Sequence, residues 1–225
     1  LGMKVPRWPE CHLPDWAKTL SKEAREKELL LYLEEIVKRY KDNKAIEIWQ
    51  VENEPFLPFG ECPERGKDFI LHEISLIKSL DNSRHILVTD SGEIGLWIQA
   101  AKIGNIFGST MYRRVYNEYF GHVNYRLPPE FFILKEKMVR FLIKDSNKKF
   151  IIIELAAEPW MAKQIYETSI EEQLKTFDLD FFKDTVQYAK ATGFDEYYLW
   201  GAEWWYYMKI NGHPEFWEEA KKLWQ

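Results

Sequence analysis

Short apolar runs alternate along this chain with stretches whose apolar residues recur every three or four positions. That alternation predicts repeated strand–helix units, with no hairpin signal among them. A first strand is expected at residues 3–6, ending in a loop that carries Arg7, Trp8, Glu10, Cys11 and His12. A long helix is expected over 21–41, with Ser21 as N-cap and Glu23 in the first turn. Leu29, Leu33, Ile36, Val37 and Tyr40 fall on one face of it. A strand over 45–51 and a loop from Pro55 to Gly66 precede a helix over 68–80, with Ile70, Ile74 and Ile77 in register. The third strand is expected at 85–89, with Asp90, Ser91 and Gly92 turning into a helix at 96–101. A strand over 106–112 leads to a long loop as far as Pro129 and a helix over 130–144. Residues 150–153 are continuous in Phe and Ile, the pattern of a parallel strand covered on both faces. A helix over 179–191, a strand over 196–200 and a helix over 214–223 close the chain.

Strand–helix units in sequence leave two architectures, an open doubly wound sheet or a closed barrel. No Gly-rich dinucleotide fingerprint or P-loop follows any of the strands. Polar and aromatic residues cluster just after the strands instead, and in a barrel those positions form the rim that carries catalysis. The expectation is therefore an α/β protein, a (β/α)8 TIM barrel, with residues 1–225 as a single catalytic domain. With six units visible, that barrel lacks its first two, so the domain is read as N-terminally incomplete. A preceding segment with two more units would complete it.

Composition narrows the partners. Charged residues make up 30% and apolar residues 46%, an ordinary globular balance. A net charge of -5 and the lack of a Lys/Arg block predict no nucleic-acid partner and no membrane surface. No apolar run reaches the roughly 18 residues of a spanning segment. Five histidines without ligand spacing predict no metal, and no cofactor is expected. Aromatic residues reach 16%, which is high. Most of them would fill a core, but Trp8, Trp97, Trp160, Trp204 and Trp205 stand beside Pro, Gly or acidic residues, where loops are expected. Exposed flat rings stack on the apolar faces of sugars.

Two glutamates carry the chemistry. Asn53-Glu54-Pro55 stands at the end of the second expected strand, and Glu154 closes the apolar strand 150–153. Cleaving a glycosidic bond takes a carboxylic acid to protonate the leaving oxygen and a carboxylate to attack the anomeric carbon. An amide such as Asn53 beside the acid can bond the sugar 2-hydroxyl. A glutamate that ends a buried strand is costly unless paired or used. In a barrel these two strand ends would face each other, with the carboxyls about 5 Å apart, the separation for retention.

Asn53-Glu54-Pro55, Tyr112, Glu154 and Trp200, each at the end of a different expected strand, resemble the pattern of clan A glycoside hydrolases. The wording is most similar to glycoside hydrolase family 5, the cellulases and their relatives, with the whole chain matched as strands three to eight. The resemblance implies Glu54 as acid/base, Glu154 as nucleophile, Tyr112 bonded to the nucleophile and Trp200 as the floor of the first sugar subsite.

Other residues have secondary expectations. Glu158 competes with Glu154 for the nucleophile role, and Glu52 is expected to be a structural hydrogen-bond partner. Glu203, after the last strand, can reach substrate hydroxyls, and Arg7, Trp8 and His12 are rim candidates for sugar contact. Asp90 and Glu93 read as a cap and a first-turn acid. Cys11 and Cys62 lie in loops after neighbouring strands, so a disulfide is expected if the protein is exported, and this pair is the sequence hint that favours an extracellular or cell-surface setting over a cytoplasmic one. The function expected is retaining hydrolysis of β-glycosidic bonds in a β-glucan or β-mannan type carbohydrate. The rival is a non-catalytic carbohydrate-binding barrel or a truncated, inactive fragment.

Overall fold

A computed structural model describes residues 1–6, 9–63 and 66–224. In chain order the elements are α1 (Asp15–Lys18), α2 (Lys22–Tyr40), β1 (Ile48–Gln50), α3 (Lys67–Leu80), β2 (His85–Asp90), α4 (Ile98–Ile103) and β3 (Ile106–Met111). They continue with β4 (Arg114–Asn117), β5 (Gly121–Asn124), α5 (Pro129–Ile143), β6 (Lys149–Ala156), α6 (Ile170–Thr176) and α7 (Leu179–Ala191). The last are β7 (Tyr197–Trp200), α8 (Ala202–Ile210) and α9 (Glu215–Lys221). Five strands form one sheet in the order β1-β2-β3-β6-β7, and β4 and β5 form a separate two-stranded ribbon.

The chain divides into two compact units. One comprises Leu1–Ser109 and Met138–Phe150, the other Thr110–Lys137 and Ile151–Gln225.

In the first unit α2 starts where Ser21 caps it, its side chain accepting from the Ala24 amide at 3.2 Å. Leu33 and Val37 are its buried stripe, and Ile70, Ile74 and Ile77 form that of α3. β1 pairs with β2 and β2 with β3, both parallel. Trp97, Phe107 on β3 and Phe150 on β6 close on one another, with ring centroids 5.0 to 6.2 Å apart. Trp97 is fully buried at the start of α4, and its indole N–H donates to the Ser91 carbonyl at 2.8 Å.

In the second unit α6 to α9 bury Phe177, Phe182, Trp204, Trp205, Met208 and Phe216 together. The two tryptophans keep partners inside this core, Trp204 donating to Gln173 Oε1 at 2.7 Å and Trp205 to the Ala157 carbonyl at 2.8 Å. Trp97, Trp204 and Trp205 are thus core residues, not exposed sugar-stacking rings; Trp160 reaches the surface, at 36% exposure.

The (β/α)8 barrel expectation is overturned. Among the described residues the parallel strands are five, and β1 and β7 stand at opposite ends of the strand order. The expected first strand is a single antiparallel bridge, Lys4 with Cys11. Pro6 has no amide proton to extend a ladder, and the chain turns back instead. The expected long loop before Pro129 contains the β4–β5 hairpin. Its three-residue connection, 118–120, leads into Gly121, whose φ of 70° suits a turn of this kind.

Candidate active site

In the first unit, Asn53 and Glu54 follow β1 and are buried, 2% and 7% exposed. The Glu54 amide donates to Thr89 Oγ1 on β2 at 2.8 Å, which fixes the turn against the neighbouring strand. Its φ is 41°, and Glu52 and Glu10 sit at 56° and 68°. Left-handed backbone at a residue with a side chain is strained by roughly 1–3 kcal/mol and persists only where surroundings enforce it.

Those surroundings centre on Lys4, only 2% exposed. Its ammonium donates to the Glu54 and Leu57 carbonyls at 3.1 and 3.0 Å and pairs with Glu10 Oε2 at 3.2 Å. Its amide and that of Met3 donate to the Glu52 carboxylate at 2.5 and 2.9 Å. Glu52 is therefore the structural partner expected for it. Burial pushes the Glu10 carboxyl above its usual range, while Lys4 pulls it back. Cys11 and Cys62 form a disulfide with Cα atoms 5.1 Å apart, tying the loop after Lys4 to the loop after Glu54. His12 is exposed and lines an open depression with Cys11, Cys62, Lys18 and Glu61; Glu54 is not among the lining residues. Arg7 and Trp8 lie outside the described residues.

Asp90 is a loop organiser. Its carboxylate accepts from the Ser91 and Trp97 amides at 2.9 and 2.8 Å. Helix α4 begins only at Ile98, with Trp97 before it, no side-chain cap and no acid in its first turn, so Asp90 and Glu93 do not take the cap and first-turn places expected of them.

In the second unit Glu154 lies inside β6, which runs two residues past it to Ala156. The strand end is therefore not at Glu154, as the sequence pattern suggests. The ladder to β7 shifts register there: Ile152 pairs with Tyr197, but Leu155 pairs with Leu199. The extra residue on β6 is a bulge, a device that re-aims a side chain. Glu154 is 7% exposed, and Tyr112 donates its hydroxyl to Glu154 Oε2 at 2.7 Å. The ring of Tyr112 meets that of Trp160 edge-on, centroids 5.3 Å apart.

Glu158 stands half-buried on the following loop and accepts from Trp200 Nε1 at 2.8 Å. Gly201 lets that loop pass close by. A Cβ there would stand 2.8 Å from the Ala157 carbonyl oxygen, and its φ of 135° suits only glycine. Glu203 is exposed in the first turn of α8. The structure thus brings Tyr112 to Glu154 and Trp200 to Glu158. Sequence reading missed the bulge, the Lys4 clamp and the His122 ring, whose Nε2 lies 3.1 Å from the Trp160 carbonyl. A lysine two residues before a proline carries no signal that its ammonium will be buried. Among the described residues no group of three or more His, Cys, Asp or Glu could hold a metal ion, and no helix is long and apolar enough to cross a membrane.

Part of a glycoside hydrolase shares this fold. The crystal structure of the GH2 beta-galacturonidase from Eisenbergiella tayi bound to galacturonate matches with a TM-score of 0.54 at 17% identity, over 80% of this chain and 31% of that one. Bacteroides uniformis beta-glucuronidase matches at 0.49 with 15% identity, over 81% and 22%. The FMN-binding beta-glucuronidase from Facaelibacterium prausnitzii L2-6 matches at 0.48 with 15% identity, over 80% and 26%. These last two likenesses are too slight to carry weight. The chain spans about a third of the length of the beta-galacturonidase. No family model matches it, and no curated protein does. The likeness to family 5 cellulases is corrected accordingly: the shared fold is that of part of a GH2 enzyme.

Proposed function

We propose that this chain belongs to the catalytic part of a retaining β-glycoside hydrolase, with Glu154 as nucleophile and Glu54 as acid/base. The observation that carries the reading is the 2.7 Å bond from Tyr112 to Glu154, a buried carboxylate set on a strand bulge and oriented by a phenol. The strained, clamped turn at Glu54 supports the second role, since such strain gathers at functional sites. The fold shared with a glycoside hydrolase agrees with the reaction class.

In the first step the Glu154 carboxylate attacks the anomeric carbon. The bond to the leaving oxygen breaks, and that oxygen takes the proton of Glu54. In the second step Glu54 takes a proton from water, the hydroxide attacks the anomeric carbon, and the ester to Glu154 breaks. Asn53 serves the sugar 2-hydroxyl, and Trp200 and Glu158 serve the first sugar ring. Arg7, Trp8, His12 and Glu203 are proposed as further sugar contacts. The substrate class is a β-glucan or β-mannan type carbohydrate, with β-galacturonides next in order because the enzyme that shares the fold is a beta-galacturonidase. The Cys11–Cys62 bridge supports export to an oxidising compartment.

The test is turnover of aryl β-glucoside, β-mannoside, β-galacturonide and β-glucuronide by the parent and by Glu54→Gln and Glu154→Gln. Loss in both variants is expected. A 2-deoxy-2-fluoro glycoside of the accepted sugar should add its mass to the peptide holding Glu154; label on Glu158 would transfer the nucleophile role there. Wild-type turnover in either variant would sink the assignment, and sugar binding without turnover by the parent would favour a non-catalytic carbohydrate-binding protein.

A further inference from the structure

The β4–β5 hairpin leaves the chain directly after Tyr112. Its register sets Tyr116 opposite His122 and Arg114 opposite Asn124, so these four side chains share one face. The Tyr116 and His122 rings meet edge-on, centroids 5.4 Å apart. Arg114 anchors the base of the face, donating to Asn124 Oδ1 at 2.7 Å and lying 4.4 Å over the Phe181 ring.

From Glu154 an unbroken line of contacts runs outward within the second unit. Tyr112 bonds the carboxylate, Trp160 packs on Tyr112, His122 contacts the Trp160 carbonyl, and Tyr116 packs on His122. Beyond Tyr116 in the chain is the hairpin tip, where Tyr119 and Phe120 are 80% and 82% exposed. The tip is built. Asn117 Oδ1 accepts from the Tyr119 and Phe120 amides at 2.9 and 3.2 Å, so two large rings are held out in water on an ordered turn. Rings interleaved with His122, Asn124 and the Tyr116 hydroxyl match a ligand with apolar faces and a hydroxylated edge.

We propose that this hairpin is a binding platform for successive units of a neutral β-linked hexose chain, continuing from the sugar held at Glu154. The proposal rests on the glycosidase reading of Glu154 and assigns the place where the further sugars of such a chain are held.

Calorimetry with cellohexaose and mannohexaose on the full chain carrying Glu154→Gln tests it without turnover. At least one hexaose should bind more tightly than the matching disaccharide. Tyr116→Ala, and Tyr119→Ala with Phe120→Ala, should each weaken the hexaose by about tenfold. Tyr116→Trp, which keeps a ring, should stay within about twofold of the parent. Should Tyr116→Ala lose its native circular dichroism, the exposed tip pair carries the test. Unchanged hexaose affinity in the tip pair, or no binding of either hexaose by the parent, overturns the platform. So does concentration-dependent self-association, seen by sedimentation, that the tip pair abolishes. Failure of the catalytic reading looks different: no aryl glycoside is turned over, while ring-dependent hexaose binding survives.

Discussion

A phenol at 2.7 Å from a carboxylate does more than hold it still. Tyr112 donates to Glu154 Oε2 and so orients the carboxylate that is proposed as the nucleophile. Removing only the hydroxyl keeps the ring that packs on Trp160. Tyr112→Phe is therefore expected to lower kcat by about 10- to 100-fold with KM little changed, the loss from one hydrogen bond to a charged group. Equal turnover in Tyr112→Phe would show the contact to be incidental. Asp81 is a residue of another sort. Burial opposes its ionisation, but Ser83, the Trp49 indole and Arg84 all donate to it and hold the carboxyl well below the usual range. Arg84 also donates to the carbonyls of Lys41, Asn43 and Ile46, so this charge orders the turn before β1. Because the folded pKa is depressed, the unfolded chain takes up the proton first as pH falls. The stabilisation is complete above about pH 4 and lost below it. Unfolding free energies of the parent and Asp81→Asn from urea titrations should thus differ most near neutrality, by about 2 kcal/mol, and the gap should narrow steadily as pH falls below about 4 toward the depressed folded value. A gap that stays constant with pH would rule the linkage out.

Among the elements, those with strong periodicity were legible. The Ser21 cap and the Leu33 and Val37 stripe place α2, and the apolar run 150–153 lies within β6. The hairpin was not legible, because its strands are four residues each and its polar face carries no alternation strong enough to separate it from a loop. Helix α8 was missed for the opposite reason. Its sequence is aromatic on nearly every side, so it shows no stripe, and Trp204 and Trp205 read as loop rings when they are core. Of the site, Tyr112 with Glu154 followed from pattern and resemblance, whereas the bulge beside Glu154 is a property of two strands together. Gly201, between β7 and α8, is where element geometry is least forgiving. Gly201→Ala should cost about 2–3 kcal/mol, since the added carbon meets the Ala157 carbonyl and the φ of 135° becomes strained. The Tm from scanning calorimetry reads this; a Tm within a degree of the parent would mean the 157–158 loop gives way freely.

For the whole molecule, the sequence indicated strand–helix units but not how many strands the sheet would have. Six apolar runs were read as strands of a barrel, while the structure makes five of them parallel strands and spends the first on a bridged turn. Periodicity reports which residues are covered; it does not report whether a sheet closes. The proposed chemistry is tested at this scale by stereochemistry, which belongs to no single residue. Double displacement delivers the first-formed sugar in the configuration of the substrate. Proton NMR of an accepted aryl β-glycoside should show the β-anomer appearing before mutarotation. The α-anomer appearing first would mean a single displacement, in which Glu154 activates water and forms no ester.

The bridge between Cys11 and Cys62 spans 51 positions, and within that span lies the exposed stretch 42–45 that links α2 to β1. A trypsin cut after Lys44 would therefore not release a fragment. On a gel run without reductant the clipped protein should migrate as one species, and thiol should resolve it into two. A nicked molecule of this kind would keep α2 tethered to the loop beside Glu54, so the break in its backbone would be invisible to any assay of size until the sulfurs were parted.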